Sequence, residues 1–211
     1  MIVYLGQYVS EKVCACRGLP TLNAAGTNRM QRIAEALLDA GEKCWILSVG
    51  SAARLGWKGR LLHRAHVERR QGVPILFVSA LGIPFLSVLW AQIAVVIALF
   101  ELRRRCKITG LIVYNFHLVD LVVACVGRFI FKVPVLLDLE DVSIPKWNDL
   151  SRDSEAYAFQ QLRFWPLMKA TILTCHAIFA PTRRFRKVIP SAKPFEVISG
   201  CMRVPPRRIE K

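Results

Sequence analysis

The feature that most constrains the fold is the repeated alternation of short, uniformly apolar segments with longer helical patterns. The apolar residues 2–5 precede a helix, which Gly41 is placed to end and whose apolar face consists of Met30, Ile33, Ala34, Leu37 and Leu38. The next apolar segment, residues 44–49, lacks polar alternation, which is typical of a parallel strand covered on both faces. The pattern predicts an α/β fold with a doubly wound, mostly parallel, Rossmann-like sheet.

The same alternation continues to about residue 200. It predicts further strands at residues 75–78, 111–114, 133–139, 177–180 and 195–198, and helices at residues 85–104, 118–131 and 154–171, the last interrupted at Pro166. The basic stretch 50–70 is expected to be an exposed hairpin or loop. We therefore expect one domain over residues 1–200, followed by a basic linker or truncated end at 201–211.

The charge balance favours an anionic partner. Lysine and arginine number 30 against 15 aspartate and glutamate residues, a net charge of +15, so lipid headgroups, phosphorylated substrates and nucleic acid all fit by sign. The 54% hydrophobic content argues against a nucleic-acid module, which is usually a largely polar sequence with interleaved aromatic residues. We expect no nucleic-acid partner.

Metal and cofactor signals are weak. The seven cysteines have no CxxC spacing and are interpreted as reduced thiols, and His63 and His66 lie in a basic surface stretch, where histidines are usually solvated. The first turn lacks GxGxxG, and no acidic residue follows the second strand, which disfavours a dinucleotide cofactor. We expect neither a metal nor a cofactor.

Residues 71–100 contain no charged side chain and are followed by Arg103, Arg104, Arg105 and Lys107. Pro74, Gly82 and Pro84 divide this stretch into a strand, a turn and a helix. Three interpretations of the helix stay open: a buried domain helix, a helix in the membrane interface, and a true span. The first ten residues lack a secretory signal, so we expect a cytoplasmic protein, peripherally associated with the inner face of the membrane, with a single span as an alternative.

A run of small and polar residues lies between the first predicted strand and the helix that follows it. Gly26 and its alanine neighbours would let backbone N–H groups approach a negatively charged group at the helix N-terminus, and Thr27, Asn28 and Arg29 would add polar contacts. In the alternative interpretation, Gly26 makes a tight turn and Arg29 is solvated. The four residues are candidate substrate-binding groups.

Two later strands also end in polar residues, and ligands bind at this edge of an open parallel sheet. Asn115 and Asp141 are further candidate substrate-binding residues, and the candidate catalytic residues are His117, Asp138 and Glu140. The alternatives are a loop asparagine, a satisfied histidine, and a helix cap or a salt bridge made by Asp141.

Taken in order, these motifs resemble a known family. Residues 23–29 with 33–37, then 113–115, 134–141 and 177–182, are similar to the N-terminal half of a retaining glycosyltransferase of the two-domain GT-B fold (group 1, family 4-like). The resemblance implies an acceptor-binding domain for a polysaccharide or glycolipid at the cytoplasmic membrane face. It also implies that the half binding the nucleotide-sugar donor lies beyond Lys211 or in a partner chain. The alternative is a non-catalytic, membrane-associated binding subunit that needs a separate donor-binding partner.

Overall fold

A computed structural model describes residues 1–19, 24–49, 61–83, 86–140 and 165–198. The strands in these ranges are β1 (Ile2–Gly6), β2 (Cys44–Ser48), β3 (Leu62–His63), β4 (His66–Arg70), β5 (Val73–Phe77), β6 (Ala80–Leu81), β7 (Gly110–Tyr114), β8 (Val135–Asp138), β9 (Ala177–Ala180) and β10 (Phe195–Val197). The helices are α1 (Glu11–Arg17), α2 (Ala24–Asp39), α3 (Leu86–Arg105), α4 (Leu118–Cys125), continued by a π-helix (Val126–Phe131), α5 (residues 165–174) and a 3₁₀ helix (Arg183–Val188).

The main sheet has the strand order β10-β9-β8-β7-β1-β2-β5-β4. Every neighbouring pair is parallel except β4 with β5, and β3 pairs with β6 in a separate antiparallel ribbon. The chain runs outward from β1 to β2 and β5 and then crosses back to β7 on the other side of β1. This reversal confirms the predicted doubly wound sheet and opens a crevice at the carboxyl ends of β1 and β7.

Helices cover both faces of the sheet, and β1 shows how. Val3 and Leu5 point into the core that includes α3 and α4, whereas Tyr4 belongs to the core that includes α1 and α2. All three side chains are fully buried. Burial on both faces is the reason that the strands are uniformly apolar rather than alternating.

Helix α2 follows its predicted apolar face but begins earlier than expected. Met30 and Ala34 are buried against the sheet, and Gly41, at φ 83°, donates its N–H to the Leu38 carbonyl at 2.9 Å, which ends the helix as predicted. The expectation of a loop through residues 24–29 was wrong, because they form the first turns of α2.

Helix α1 was not predicted. Ser10 begins it by accepting a 3.1 Å hydrogen bond from the Val13 N–H, and Gly18, at φ 65°, ends it. Of the basic stretch, the described part contains β3 and β4. Strand β4 forms a hairpin with β5 through Gln71 and Gly72, both at positive φ, as a two-residue hairpin turn requires.

Helix α3 packs one face against the domain and exposes the other. Ala94, Val95, Leu99 and Leu102 are buried. By length and composition, α3 is the one helix in the described ranges that could cross a membrane, a test that core helices of soluble proteins also pass.

The predicted helix 118–131 is present as α4 and its π-helical continuation, and Lys132, at φ 56°, ends it. The start of the predicted helix at residue 154, Asp141, and residues 201–211 lie outside the described ranges.

Candidate functional site

A buried ion pair stands at the carboxyl edge of the sheet. Arg29, in the second turn of α2, places Nε 3.0 Å from both Asp138 carboxylate oxygens and Nη2 2.8 Å from Oδ1. The two side chains are 7% and 0% exposed. The Tyr4 hydroxyl donates to Asp138 Oδ2, and Arg29 Nη1 donates to the Ile198 carbonyl at 3.3 Å. Arg29 therefore joins α2 to β8 and to the segment after β10, and Asp138 extends this network to Tyr4 of β1.

The protonation of this network follows from its burial. Burial raises the pKa of Tyr4 well above its ordinary value, and the neighbouring Asp138 carboxylate raises it further, so Tyr4 remains a hydrogen-bond donor. Burial also raises the pKa of Asp138, while the Arg29 guanidinium and the Tyr4 hydroxyl oppose that rise by bonding to the ionised form. A charged carboxylate in this place depends on Arg29.

A second group of contacts joins the ends of β7 and β8. Asn115 adopts a left-handed backbone at φ 64°, which asparagine tolerates better than most residues. Its N–H donates to the Asp138 carbonyl at 2.7 Å, and its Oδ1 accepts the Glu140 N–H at 2.9 Å. The Tyr114 hydroxyl donates to the Glu140 carboxylate. Asn115 thus fixes the backbone that carries both carboxylates.

Gly6 allows α2 to approach the end of β1. A Cβ at this position would lie 2.8 Å from the sulfur and terminal methyl of Met30 and 2.9 Å from Cβ of Tyr114. Helix, β1 and β7 therefore meet at a residue without a side chain, which brings Arg29 within reach of Asp138.

A polar cleft of about 350 Å³ opens beside the start of α1 and α2, lined by Val9, Ser10, Glu11, Lys12, Thr27, Asn28 and Arg70. Buried Thr27 accepts the Val9 N–H at 3.3 Å, and exposed Asn28 follows it on α2. Arg70 donates to the Tyr8 hydroxyl at 3.3 Å. The cleft places the first turn of α2 against the loop that follows β1.

His117 lies at the start of α4, where it is exposed. Its backbone N–H donates to Asp120 Oδ2 at 2.8 Å. Asp120 is buried, and burial raises its pKa well above the ordinary value although this bond acts in the opposite direction. The contact fixes the first turn of α4.

The predicted site residues thus occupy several neighbouring places. The structure joins Arg29 to Asp138 and Asn115 to Glu140, puts Thr27 and Asn28 on the cleft, and buries Gly26 in the first turn of α2. Their roles in catalysis and substrate binding stay predictions. In the described part of the chain, no three His, Cys, Asp or Glu side chains form a group suited to a metal ion.

Sequence reasoning missed the other side of the cleft, formed by Ser10, Glu11, Lys12 and Arg70, and also the Tyr4 hydroxyl. A serine followed directly by glutamate is a helix-start signal, and it would have indicated α1. The role of Arg70 has no comparable local signal, because it reaches the cleft from the β4–β5 hairpin.

The mostly parallel sheet with helices on both faces is a Rossmann-like α/β domain, matching a glycosyltransferase of the GT-B fold. That solved structure is a sucrose-phosphate synthase from Thermosynechococcus elongatus, at 11% sequence identity and a TM-score of 0.56. The similarity covers 94% of this chain and 47% of the synthase, so the chain spans about half the length of that neighbour. No protein-family model and no curated protein matches the sequence. At this identity, the similarity establishes the fold alone.

Proposed function

We propose that this chain is the acceptor-binding half of a retaining glycosyltransferase. The enzyme would transfer a sugar from a nucleotide-sugar to a polysaccharide or glycolipid at the cytoplasmic face of the membrane, with the donor bound by a further domain or a partner chain. The observation that carries the proposal is the polar cleft at the carboxyl edge of β1, in a domain of glycosyltransferase-like fold.

The side chains of the cleft suit a glycan acceptor. Ser10 and Asn28 can donate and accept hydrogen bonds, and Glu11 can accept them from sugar hydroxyls. Lys12 and Arg70 supply positive charge, which would favour an acceptor that carries a phosphate. The cleft therefore offers both kinds of recognition that a lipid-linked or phosphorylated glycan requires.

We assign Asp138 a positioning role instead of contact with the acceptor. Its carboxylate is inaccessible and bonded to Arg29 and Tyr4. Because Arg29 follows directly after Asn28 on α2, the ion pair sets the height and rotation of the helix turn that lines the cleft. In this proposal Asp138 remains important for the site, but it positions the helix turn and takes no direct part in catalysis.

In the transfer itself, the acceptor hydroxyl forms a bond to the anomeric carbon while the bond to the departing diphosphate breaks. The hydroxyl proton then leaves to a base, and the negative charge of the leaving group needs positive groups, which we assign to the donor-binding half. Of the three predicted catalytic residues, exposed His117 and half-buried Glu140 have the access that such a proton transfer needs.

A second candidate function rests on the same polar cleft. In this assignment, the chain is a membrane-associated binding subunit without catalysis of its own, which holds a glycan in the polar cleft and recruits a donor-binding partner. The two candidates differ in whether the cleft affects the chemical step of transfer.

The test is to isolate the tagged chain with its bound partners from its native membranes. The complex is supplied with radiolabelled nucleotide-sugars and the lipid-linked glycans of the same cells, and label transfer is measured. We expect Asn28→Ala and Lys12→Gln to reduce kcat/KM for the acceptor about tenfold or more, because each removes a polar contact. Lys43→Gln, exposed and outside the cleft, is the control and should leave transfer unchanged.

If transfer per molecule of recovered partner is unchanged in both cleft variants while less partner is recovered with them, the non-catalytic subunit is the correct assignment. If neither transfer nor glycan binding is detected in the wild-type complex, both assignments are wrong.

A further inference from the structure

The outer face of α3 carries a continuous line of large apolar side chains, here called the apolar stripe: Leu86, Leu89, Ile93, Ile97 and Phe100. Spacings of three and four residues put them on one face of the helix. Their exposed fractions lie between 39% and 59%. Most apolar side chains of this size are buried in folded proteins, and an exposed line of them marks a contact surface.

Basic residues continue the same helix. Arg104 follows Phe100 by four residues and therefore extends the apolar stripe by one turn. It also lines a second cleft of about 480 Å³, here called the basic cleft, together with Arg103, Arg105, Lys107, Phe131 and Lys132. No acidic side chain lines this cleft among the described residues. The apolar stripe thus ends in a concentrated positive charge.

The architecture of the basic cleft is partly fixed by packing. The Arg103 guanidinium lies 4.5 Å from the centre of the Phe131 ring, and the Phe100 and Phe131 rings meet edge to face at 5.2 Å. In the π-helix that ends at Phe131, Phe129 and Ile130 are exposed by 63% and 57%. Apolar side chains therefore stand on both helices that border the basic cleft.

We propose that the apolar stripe and the basic cleft together dock the domain on a bilayer that contains anionic lipids. The stripe enters the boundary between headgroups and acyl chains, and the basic cleft binds lipid phosphates. This surface provides the membrane contact that the function proposed above requires. The biological setting of this second proposal rests on that function. Its physical test needs no transferase activity, so the two proposals can fail separately.

Charge complementarity favours this occupant over a second copy of the chain. A copy would present the same stripe and the same surplus of positive charge, and Glu101, the one acidic residue on α3, already pairs with Arg104 at 3.1 Å. A lipid surface offers apolar depth and a negatively charged headgroup layer, the two properties that the stripe and the basic cleft require.

The topology also places the start of α3 toward the sheet edge that holds the polar cleft. Helix α3 connects β5 to the parallel strand β7, so it runs back from the carboxyl edge of the sheet to the opposite edge over about 30 Å. Its first residues therefore lie toward the edge that holds the polar cleft. A domain resting on α3 would keep that edge within reach of an acceptor anchored in the same bilayer.

The test measures binding of the purified full chain to vesicles of phosphatidylcholine, alone and mixed with phosphatidylglycerol, by flotation. We expect binding to the mixed vesicles that weakens with salt. Substituting Arg104, Arg105 and Lys107 together with glutamine should weaken binding about a hundredfold, at about fivefold per basic residue. The matched control replaces three exposed basic residues after β9, Arg183, Arg184 and Lys187, and should change it less than about threefold.

The apolar part is tested by Ile97→Gln, which should weaken binding about tenfold because it removes a side chain that enters the bilayer. Val67→Gln is its control, since Val67 is similarly exposed but lies on the edge strand β4. Circular dichroism confirms that each variant is folded.

Equal loss from the basic-cleft triple variant and its control would overturn the proposal, because binding would then depend on net charge alone. Lack of binding to the mixed vesicles would also overturn it. So would a dimer in solution that Ile97→Gln dissociates, which would assign the stripe to a second copy of the chain. None of these three results bears on glycan binding in the polar cleft.

Discussion

The two faces of the sheet differ in the side chains that they bury and expose, although the same strands form both. Under α2, the end of the sheet buries charge, and each buried charged group there has a partner, as Arg29, Asp138 and Tyr4 show. On the side of α3 and α4, the packed interior is apolar apart from the buried Asp120 carboxyl, and the outward face of α3 exposes a line of large apolar side chains. Buried, paired charge fixes one geometry, whereas exposed apolar surface tolerates a fluid partner. In our proposals, the first region supports specific recognition in the polar cleft, and the second docks the domain on a bilayer.

The largest effect is expected from breaking the ion pair. Arg29→Ala leaves the Asp138 carboxylate buried without its cation, so we expect a loss of about 3–5 kcal/mol in the free energy of unfolding. Urea unfolding measures it. On the same helix, Arg32 makes a partly exposed bond to Glu35 at 3.2 Å, and Arg32→Ala should cost less than about 1 kcal/mol. Similar losses in both variants would show that the buried pair contributes no more than a surface pair.

The contrast between the two sides of α3 can be measured on one helix. Leu99 is fully buried and Ile97 is 56% exposed. Leu99→Ala should cost about 2–5 kcal/mol because it leaves a cavity. Ile97→Ala should stay within about 0.5 kcal/mol, since it removes little packing. A large loss from Ile97→Ala would mean that the stripe is covered within the protein.

The close approach at the end of β1 predicts a smaller effect. Gly6→Ala would put a methyl group against Met30 and Tyr114, and the strain should lower the free energy of unfolding by about 1–3 kcal/mol. Thermal unfolding measures this loss. Gly110→Ala is the matched strand control, because its nearest atom, the Pro134 carbonyl oxygen, is 3.7 Å away. Equal stability of the two variants would contradict the tight contact between α2 and the sheet.

The smallest expected effect is a pH dependence on the α4 side. Because burial raises the pKa of Asp120 above its ordinary value of 3.8, the folded protein binds more protons at this site than the unfolded chain does. Its contribution to stability is therefore complete below that ordinary value and is lost as pH rises through the raised one. The amide oxygen introduced by Asp120→Asn can still accept the His117 N–H. As the pH rises through the raised pKa, this variant should therefore become more stable relative to wild type.

Thermal unfolding between acidic and neutral pH measures this difference, with Glu42→Gln, an exposed carboxyl, as the control. If the difference between wild type and Asp120→Asn does not change with pH, the carboxyl group titrates alike in the folded and unfolded states.

Much of the fold could be predicted because its signals are local. Uniformly apolar strands such as β1, β2 and β7, and the apolar face of α2 with Gly41 after it, are set by burial on two faces and by helix periodicity. Helix α1 escaped prediction because its seven residues are too few to show a period and five of the seven are charged or cysteine. Its absence from the prediction also removed Glu11 and Lys12 from the expected site.

The candidate site was predicted as a set of residues but not as a set of contacts. Polar residues after apolar strands pointed to Asp138, Glu140 and Asn115 because ligands gather at that edge. The pairing of Arg29 with Asp138 crosses 109 residues of sequence, and no local pattern encodes which carboxylate an arginine will meet. Nor could the sequence decide that Asp138 is inaccessible while His117 is exposed.

By itself, the sequence determined most of the strands and helices and their order, since hydrophobic periodicity and turn residues act over a few neighbouring positions. It also determined the excess positive charge. The tertiary structure decided which side chains share an environment: that Arg29 and Tyr4 meet Asp138 in the interior, and that one face of α3 is left outside. These outcomes depend on the strand order and on the distance at which helices pack, and both are set by contacts between residues far apart in the chain.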